Sequence, residues 1–317
     1  MKLVKLISFF CLLFFPIIFI VMTSIEWLSR SIGVFCLLII IGLLLVYFAL
    51  KMIKSQTLKE PMKWSKTDLL DYLFALIASV MTYLFAMLNF VSPVLASASI
   101  GLLGSLLLKK HDKAIFAGSF LGMAEAAVFG VGGFLVAALI MSLVFVLTKT
   151  LFQGVGGKLG TVAFSGAVLA YFIFDLTPLS SINLSIKDSV FIIIAAIAGA
   201  VLTRVLSEYK EIGVVKTSSI IGLIFVIIFD YQNFSISPYI AIVGFGGSFV
   251  GMSDKVRMKN RFVVGFGGLI FGVIYYLSLS RFVGFGGKLG TIAFVSSIIT
   301  IGLFSLLEKR KTITLGG

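Results

Sequence analysis

Residues 154–164 read Gly-Val-Gly-Gly-Lys-Leu-Gly-Thr-Val-Ala-Phe, and residues 284–294 read Gly-Phe-Gly-Gly-Lys-Leu-Gly-Thr-Ile-Ala-Phe. We call these stretches the first and the second lysine motif. They agree at nine of eleven positions, and their lysines, Lys158 and Lys288, lie 130 residues apart. Because this agreement is too long to be coincidental, it predicts that the second half of the chain repeats the first.

A shorter motif, Gly-Ser-Phe-x-Gly-Met, is also present twice, at residues 118–123 and 247–252. In both copies an acidic residue follows two positions after the methionine, Glu125 in the first copy and Asp254 in the second. The short motif precedes the lysine motif in each half. This shared order indicates that a unit of roughly a hundred residues has been duplicated.

The composition places the chain in the membrane. Hydrophobic residues make up 60% of the sequence and charged residues 12%, with a mean hydropathy of +1.17, whereas soluble domains are about 25% charged. The formal net charge is +13, but the basic residues lie in the gaps between apolar runs, as the positive-inside rule describes. The charge therefore predicts membrane topology and gives no reason to expect nucleic acid as a partner.

The apolar runs predict an all-α polytopic membrane protein with about twelve segments, since one crossing needs about 20 apolar residues. Residues 1–60 form a transmembrane hairpin and a basic cytoplasmic loop, and five-segment repeats follow at 67–176 and 187–308. The middle segment of each repeat is too short to cross upright, which predicts short broken helices. The expected segments are 3–23, 31–50, 67–91, 94–108, 114–126, 131–149, 161–174, 188–207, 214–229, 238–252, 262–280 and 291–307.

The orientation of the repeats depends on whether the short middle segments, 114–126 and 238–252, cross the membrane or re-enter it. Crossing gives five spans per repeat and inverted copies, and this alternative puts more lysine and arginine on the cytoplasmic side. We therefore favour inverted repeats, in a multi-pass protein of the plasma (inner) membrane with a cytoplasmic N-terminus. This plan resembles urea-transporter channels, and residues 130–136 (Gly-Val-Gly-Gly-Phe-Leu-Val) are loosely similar to the glycine-rich filter approach of that family. The resemblance implies fold alone.

The lysine motifs contain too many glycines for a helix interior, where each costs about 1 kcal/mol relative to alanine. We expect an unwound stretch that leads into the N-terminus of a short helix, where backbone amides, the threonine hydroxyl and the ammonium group converge. Such a broken helix is typical of transporter substrate sites. Alternatively, Lys158 and Lys288 are interfacial anchors, and the glycines only allow helices to pack closely.

The short motifs predict half-helices that present Ser-Phe pairs to a central pathway, with an acid at the end. Glu125 is the stronger acidic candidate because it is isolated in an apolar stretch, whereas Asp254 also fits the start of a basic loop. The candidate pathway residues come from the two lysine motifs and the two short motifs. They are Ser119, Phe120, Glu125, Gly156, Gly157, Lys158, Thr161, Ser248, Phe249, Asp254, Gly286, Gly287, Lys288 and Thr291.

These patterns predict a transporter or channel for a small solute or ion, with its pathway between the repeats. The alternative is a membrane scaffold or a lipid- or envelope-assembly factor in which the glycines only pack helices. The sequence contains no catalytic motif, so we expect neither an enzyme nor a metal or other cofactor. The expected partners are the lipid bilayer and the solute, and a homo-oligomer stays an open alternative. Lysines and amides favour an anion, acids favour a cation, and Ser-Phe pairs suit a neutral solute.

Overall fold

The computed structural model describes residues 2–55, 65–179, 184–209, 212–230, 232 and 235–314. These described parts of the chain contain twelve helices and no strand. The helices are α1 (Lys2–Leu28), α2 (Ile32–Ser55), α3 (Lys66–Met87), α4 (Pro93–Leu107), α5 (Asp112–Gly122), α6 (Ala126–Thr148), α7 (Lys158–Phe174), α8 (Ile186–Tyr209), α9 (Val214–Phe229), α10 (Ser237–Gly251), α11 (Arg261–Leu277) and α12 (Lys288–Thr314).

Six helices, α1, α2, α3, α6, α8 and α12, are long and apolar enough to cross a membrane. The all-helical prediction is therefore confirmed, and the helices are consistent with a multi-pass membrane protein. Two of them, α1 and α2, are joined by a short turn and pack against each other. The basic loop predicted after this hairpin falls largely on residues 56–64, which lie outside the described residues.

Local chemistry explains several helix boundaries. Ser65 caps α3 in a capping box with Asp68, and Ser92 caps α4 just before Pro93, which needs no amide partner at the first helical position. Helix α6 starts at Ala126, five residues earlier than expected, and kinks at Gly130, whose φ of 56° departs from helical geometry. Only a residue without a Cβ adopts this conformation at little cost.

The helices α7 and α12 begin at the lysines of their motifs, three residues before the expected positions Thr161 and Thr291. They cross where a Cβ atom built on Gly160 would lie 2.4 Å from the Cα of Gly290. A Cβ on Gly157 would lie 2.2 Å from the backbone nitrogen of Phe294. Since contact positions rise along one helix as they fall along the other, α7 and α12 are antiparallel and their first turns overlap.

The short helices pack in the same way in both halves. Gly118 of α5 lies against the carbonyl oxygen of Ala75 in α3, and Gly247 of α10 lies against that of Ala196 in α8. In both places a Cβ atom would approach this oxygen to about 2 Å, at 2.1 and 2.2 Å. Here the glycines allow two backbones to approach closely, as the packing interpretation of the sequence expected.

Helix α1 runs past both lysine motifs. The ring of Phe9 stacks on Phe152, 5.5 Å between centroids, and the ring of Phe19 contacts Phe282 at 5.8 Å. Ten residues of helix correspond to about 15 Å. The turns that carry Phe152 and Phe282, two residues before each lysine motif, therefore lie at different depths along α1.

Candidate functional site

A cavity of about 290 Å³, the first pocket, lies beside the first lysine motif. Residues of this motif form one wall, and Phe249, Met252 and Asp254 from the end of α10 form another. Two hydrogen bonds donated by backbone amides join these walls. The amide of Asp254 donates to the carbonyl of Gly154 at 3.0 Å, and the amide of Gly156 donates to the Ser253 hydroxyl at 3.0 Å.

A cavity of about 360 Å³, the second pocket, lies beside the second lysine motif. Its other wall includes Met123 and Glu125 from the end of α5, and the amide of Glu125 donates to the carbonyl of Gly284 at 2.8 Å. An adjoining cavity of about 480 Å³ shares Glu125 and Asp230 with it. Among the described residues, the first and second pockets have no lining residue in common.

Each pocket combines residues from both halves of the chain, an arrangement that we call the crossed construction. The first combines the lysine motif of the first half with the acid of the second half, and the second makes the reverse combination. Equivalent hydrogen bonds, Asp254 to Gly154 and Glu125 to Gly284, hold each acid against the other half's motif. Each pocket therefore needs both halves of the chain.

Four phenylalanines from the short helices meet beside the first pocket. Phe120 of α5 contacts Phe249 of α10 at 4.5 Å between ring centroids. The other three ring contacts between these helices involve Phe116 or Phe245 and have centroid distances of 6.0–6.2 Å. All four are at most 1% exposed. Phe120 lies one turn before Met123 of the second pocket, and Phe249 lies one turn before Met252 of the first. Phe120 and Phe249 line the first pocket, and none of the four rings lines the second.

The lysine ammonium groups close the ends of the preceding helices. The Nζ of Lys158 donates to the carbonyls of Thr148 and Lys149 at 2.7 and 3.1 Å. The Nζ of Lys288 donates to Ser278 at 2.7 Å and to Arg281 at 2.6 Å. A cation at the carboxyl end of a helix is favourable because carbonyls there lack partners. The lysines hold α6 and α11 against the following motif, a role that neither sequence interpretation anticipated.

The threonines of the motifs are also used within the fold. The Thr161 hydroxyl donates to the carbonyl of Gly157 at 3.4 Å, and the Thr291 hydroxyl donates to that of Gly287 at 3.2 Å. Both threonines are fully buried. The glycines do lie outside helical geometry as expected, since Gly157 and Gly287 have φ values of 81° and 83°. The motif is thus unwound, but neither threonine lines the first or the second pocket.

The serines of the short motifs likewise join helices. Ser119 and Ser97 share a hydrogen bond of 3.0 Å between α5 and α4, and Ser248 and Ser218 share one of 2.6 Å between α10 and α9. Both motif serines are fully buried. They therefore fix the short helices to their neighbours.

The structure brings nine of the fourteen predicted residues to a pocket wall. Phe120, Gly156, Gly157, Lys158, Phe249 and Asp254 line the first pocket, and Glu125, Gly287 and Lys288 line the second. The other five, Ser119, Thr161, Ser248, Gly286 and Thr291, do not line these pockets. Sequence reasoning missed Asp230, Tyr239 and Tyr275 of the second pocket.

No protein family model, curated protein or solved structure matches this chain.

Proposed function

We propose that this protein is a transporter or channel that moves a small solute or ion across a membrane, along a pathway between its two halves. The crossed construction of the pockets is the observation that supports it. Two cavities, each built from both halves, have no described lining residue in common, and a buried aromatic cluster borders the first of them. A pathway closed at its middle is what a gated or alternating-access protein requires.

The two halves are inverted repeats in this proposal. The antiparallel crossing of α7 and α12 supports inversion, because parallel repeats would point both motif helices in one direction. The first pocket lies toward the start of α1 through Phe152, and the second lies toward its end, where the Trp27 indole donates to the carbonyl of Leu277 at 2.8 Å. With a cytoplasmic N-terminus, the first pocket faces the cytoplasm and the second faces the other side.

The charges around the pockets agree with this orientation. Lys113, Lys149 and Lys158 line the first pocket with one acid, Asp254, whereas Glu125 and Asp230 line the second with one base, Lys288. Basic residues concentrate on the cytoplasmic side of membrane proteins. The excess of basic residues around the first pocket therefore supports a cytoplasmic position for it, independently of α1.

Cysteines at Gln153 and Val283 are expected to react with a membrane-impermeant maleimide from opposite sides of the membrane. The two positions are 130 residues apart, lie in matching turns, and border the first and second pocket respectively. Labelling of right-side-out and inverted vesicles, in a background with Cys11→Ser and Cys36→Ser, provides the measurement. Labelling of both cysteines from one side would show that the repeats are parallel.

Transport itself is expected in liposomes that contain the purified full-length chain. Flux is measured in turn for halide, nitrate, K⁺, Na⁺, H⁺, urea and ethylammonium, against protein-free liposomes of the same lipid. We expect at least one solute to cross faster with the protein present. The residues that line the pathway are expected to determine which solute this is. If none of the panel crosses faster, the scaffold or assembly alternative replaces the transport proposal.

A further inference from the structure

Glu125 and Asp230 give the second pocket an unbalanced negative charge. Both side chains line this pocket and the cavity that adjoins it. Within the described residues, neither carboxylate has an ion-pair or hydrogen-bond partner. Lys288 also lines the pocket, but its ammonium directs its three contacts to backbone carbonyls, those of Ser278, Leu279 and Arg281. An ammonium has three protons to donate, so Lys288 is not available to pair with the carboxylates.

Tyr275 adds a second, independent indication of a ligand. Its side chain lines the second pocket although the residue is only 6% exposed. In the described part of the chain, its hydroxyl has no hydrogen-bond partner. Because the hydroxyl is not among the fully buried side-chain atoms that lack a partner, it is open to the cavity. A hydroxyl that faces a cavity at this depth is therefore placed to bond something that enters the cavity.

The rest of the wall is aromatic and aliphatic. Tyr239, Phe282 and Phe285 supply ring surfaces, and Ile242 and Leu289 supply aliphatic ones. Ring faces attract cations, whereas Ca²⁺ needs six to eight oxygen ligands and Mg²⁺ an octahedron of them. Within the described residues, no group of three or more acidic, histidine or cysteine side chains is arranged to hold a metal ion. Separate carboxylates on an apolar wall suit a ligand with one charge and an apolar body.

We propose that the second pocket binds a small monovalent organic cation, an ammonium with apolar substituents. Glu125 and Asp230 provide the counter-charges, and the Tyr275 hydroxyl accepts a hydrogen bond from the ammonium. The pocket volume of about 360 Å³ is sufficient for a cation of a few carbon atoms. This assignment names the ligand class of the proposed pathway, so the role of the site rests on the transport proposal. Binding itself can be measured without measuring flux.

The test is equilibrium binding of ethylammonium and of tetramethylammonium to the purified full-length protein in detergent, measured by titration calorimetry. Both probes are expected to bind to the wild type. Glu125→Gln and Asp230→Asn are each expected to raise the Kd for both probes by about tenfold or more, a loss of about 1.4 kcal/mol. Tyr275→Phe is expected to weaken ethylammonium only, because tetramethylammonium has no N–H to donate.

Asp175→Asn is the matched control, since Asp175 is an exposed carboxylate that does not line the pocket. It is expected to leave both Kd values within about twofold, and the thermal unfolding of every variant is recorded in parallel. If Glu125→Gln does not fold, Asp230→Asn carries the test. The proposal is overturned if the wild type binds neither probe, or if folded carboxylate variants bind as the wild type does.

Flux and binding separate this inference from the transport proposal. Flux of an anion or a neutral solute by a protein that binds neither ammonium probe would remove the organic cation and leave transport standing. Binding that depends on Glu125 and Asp230, in a protein that carries no solute of the panel, would remove the transport proposal and leave the organic-cation site standing.

Discussion

Gly157→Ala and Gly287→Ala are each expected to prevent the chain from reaching a stable folded state. A methyl group at Gly157 would lie 2.2 Å from the backbone nitrogen of Phe294, and one at Gly287 would lie 2.3 Å from that of Phe164. Backbone atoms cannot move aside as a flexible side chain can. Overpacking costs about 1–3 kcal/mol, and the left-handed conformation adds about 1–2 kcal/mol for a residue with a Cβ. Together these are a large part of a typical stability of about 5–15 kcal/mol.

The measurement is size-exclusion chromatography of detergent-solubilised variants, combined with their thermal unfolding temperature. Gly132→Ala is the control, because a Cβ at Gly132 meets nothing within 4 Å, and it is expected to behave as the wild type. Monodisperse Gly157→Ala protein with an unchanged unfolding temperature would show that the crossing of α7 and α12 is looser than described.

Phe120→Ala and Phe249→Ala are expected to turn the closed pathway into a leak. The two rings line the first pocket and pack against each other across α5 and α10, with centroids 4.5 Å apart. Removing one ring enlarges the first pocket into the space between α5 and α10, which the proposed pathway must cross. The flux of the permeant solute is expected to rise at least about tenfold, with a stability loss of about 3–5 kcal/mol from the lost ring.

Stopped-flow flux in proteoliposomes gives the answer, with Phe172→Ala as the control because Phe172 is 57% exposed on the outer surface of α7. The variants are compared at a temperature where chromatography shows that each is folded. Folded variants whose flux equals or falls below that of the wild type would mean that the cluster only packs helices.

The sequence predicted the helices well because strong local signals mark their boundaries. Long apolar runs end at lysine clusters, proline or glycine, and the short middle segments became α5 and α10. The errors arose where a contact distant in sequence sets the boundary. Helix α7 begins at Lys158, not Thr161, because Gly157 adopts a left-handed cap while the ammonium reaches back to α6.

The candidate site could be predicted only where the two halves repeat each other. Glu125 and Asp254 were found because each follows the same motif. Tyr275 was missed because the position 130 residues earlier is Phe145, which has no hydroxyl. The sequence also could not show that each lysine motif meets the acid of the other half. Two nearly identical motifs do not reveal which acid lies beside each of them.

The crossed construction also determines when the molecule can be completed. Gly157 leaves the ribosome more than a hundred residues before Phe294, its neighbour in the fold. Until α12 is inserted, Gly157 and Gly160 lack the helix that they pack against, and contacts between residues so far apart form slowly. The first pocket therefore has its described wall once the chain has passed Asp254, whereas the second waits for Lys288 and Leu289 at the start of the last helix.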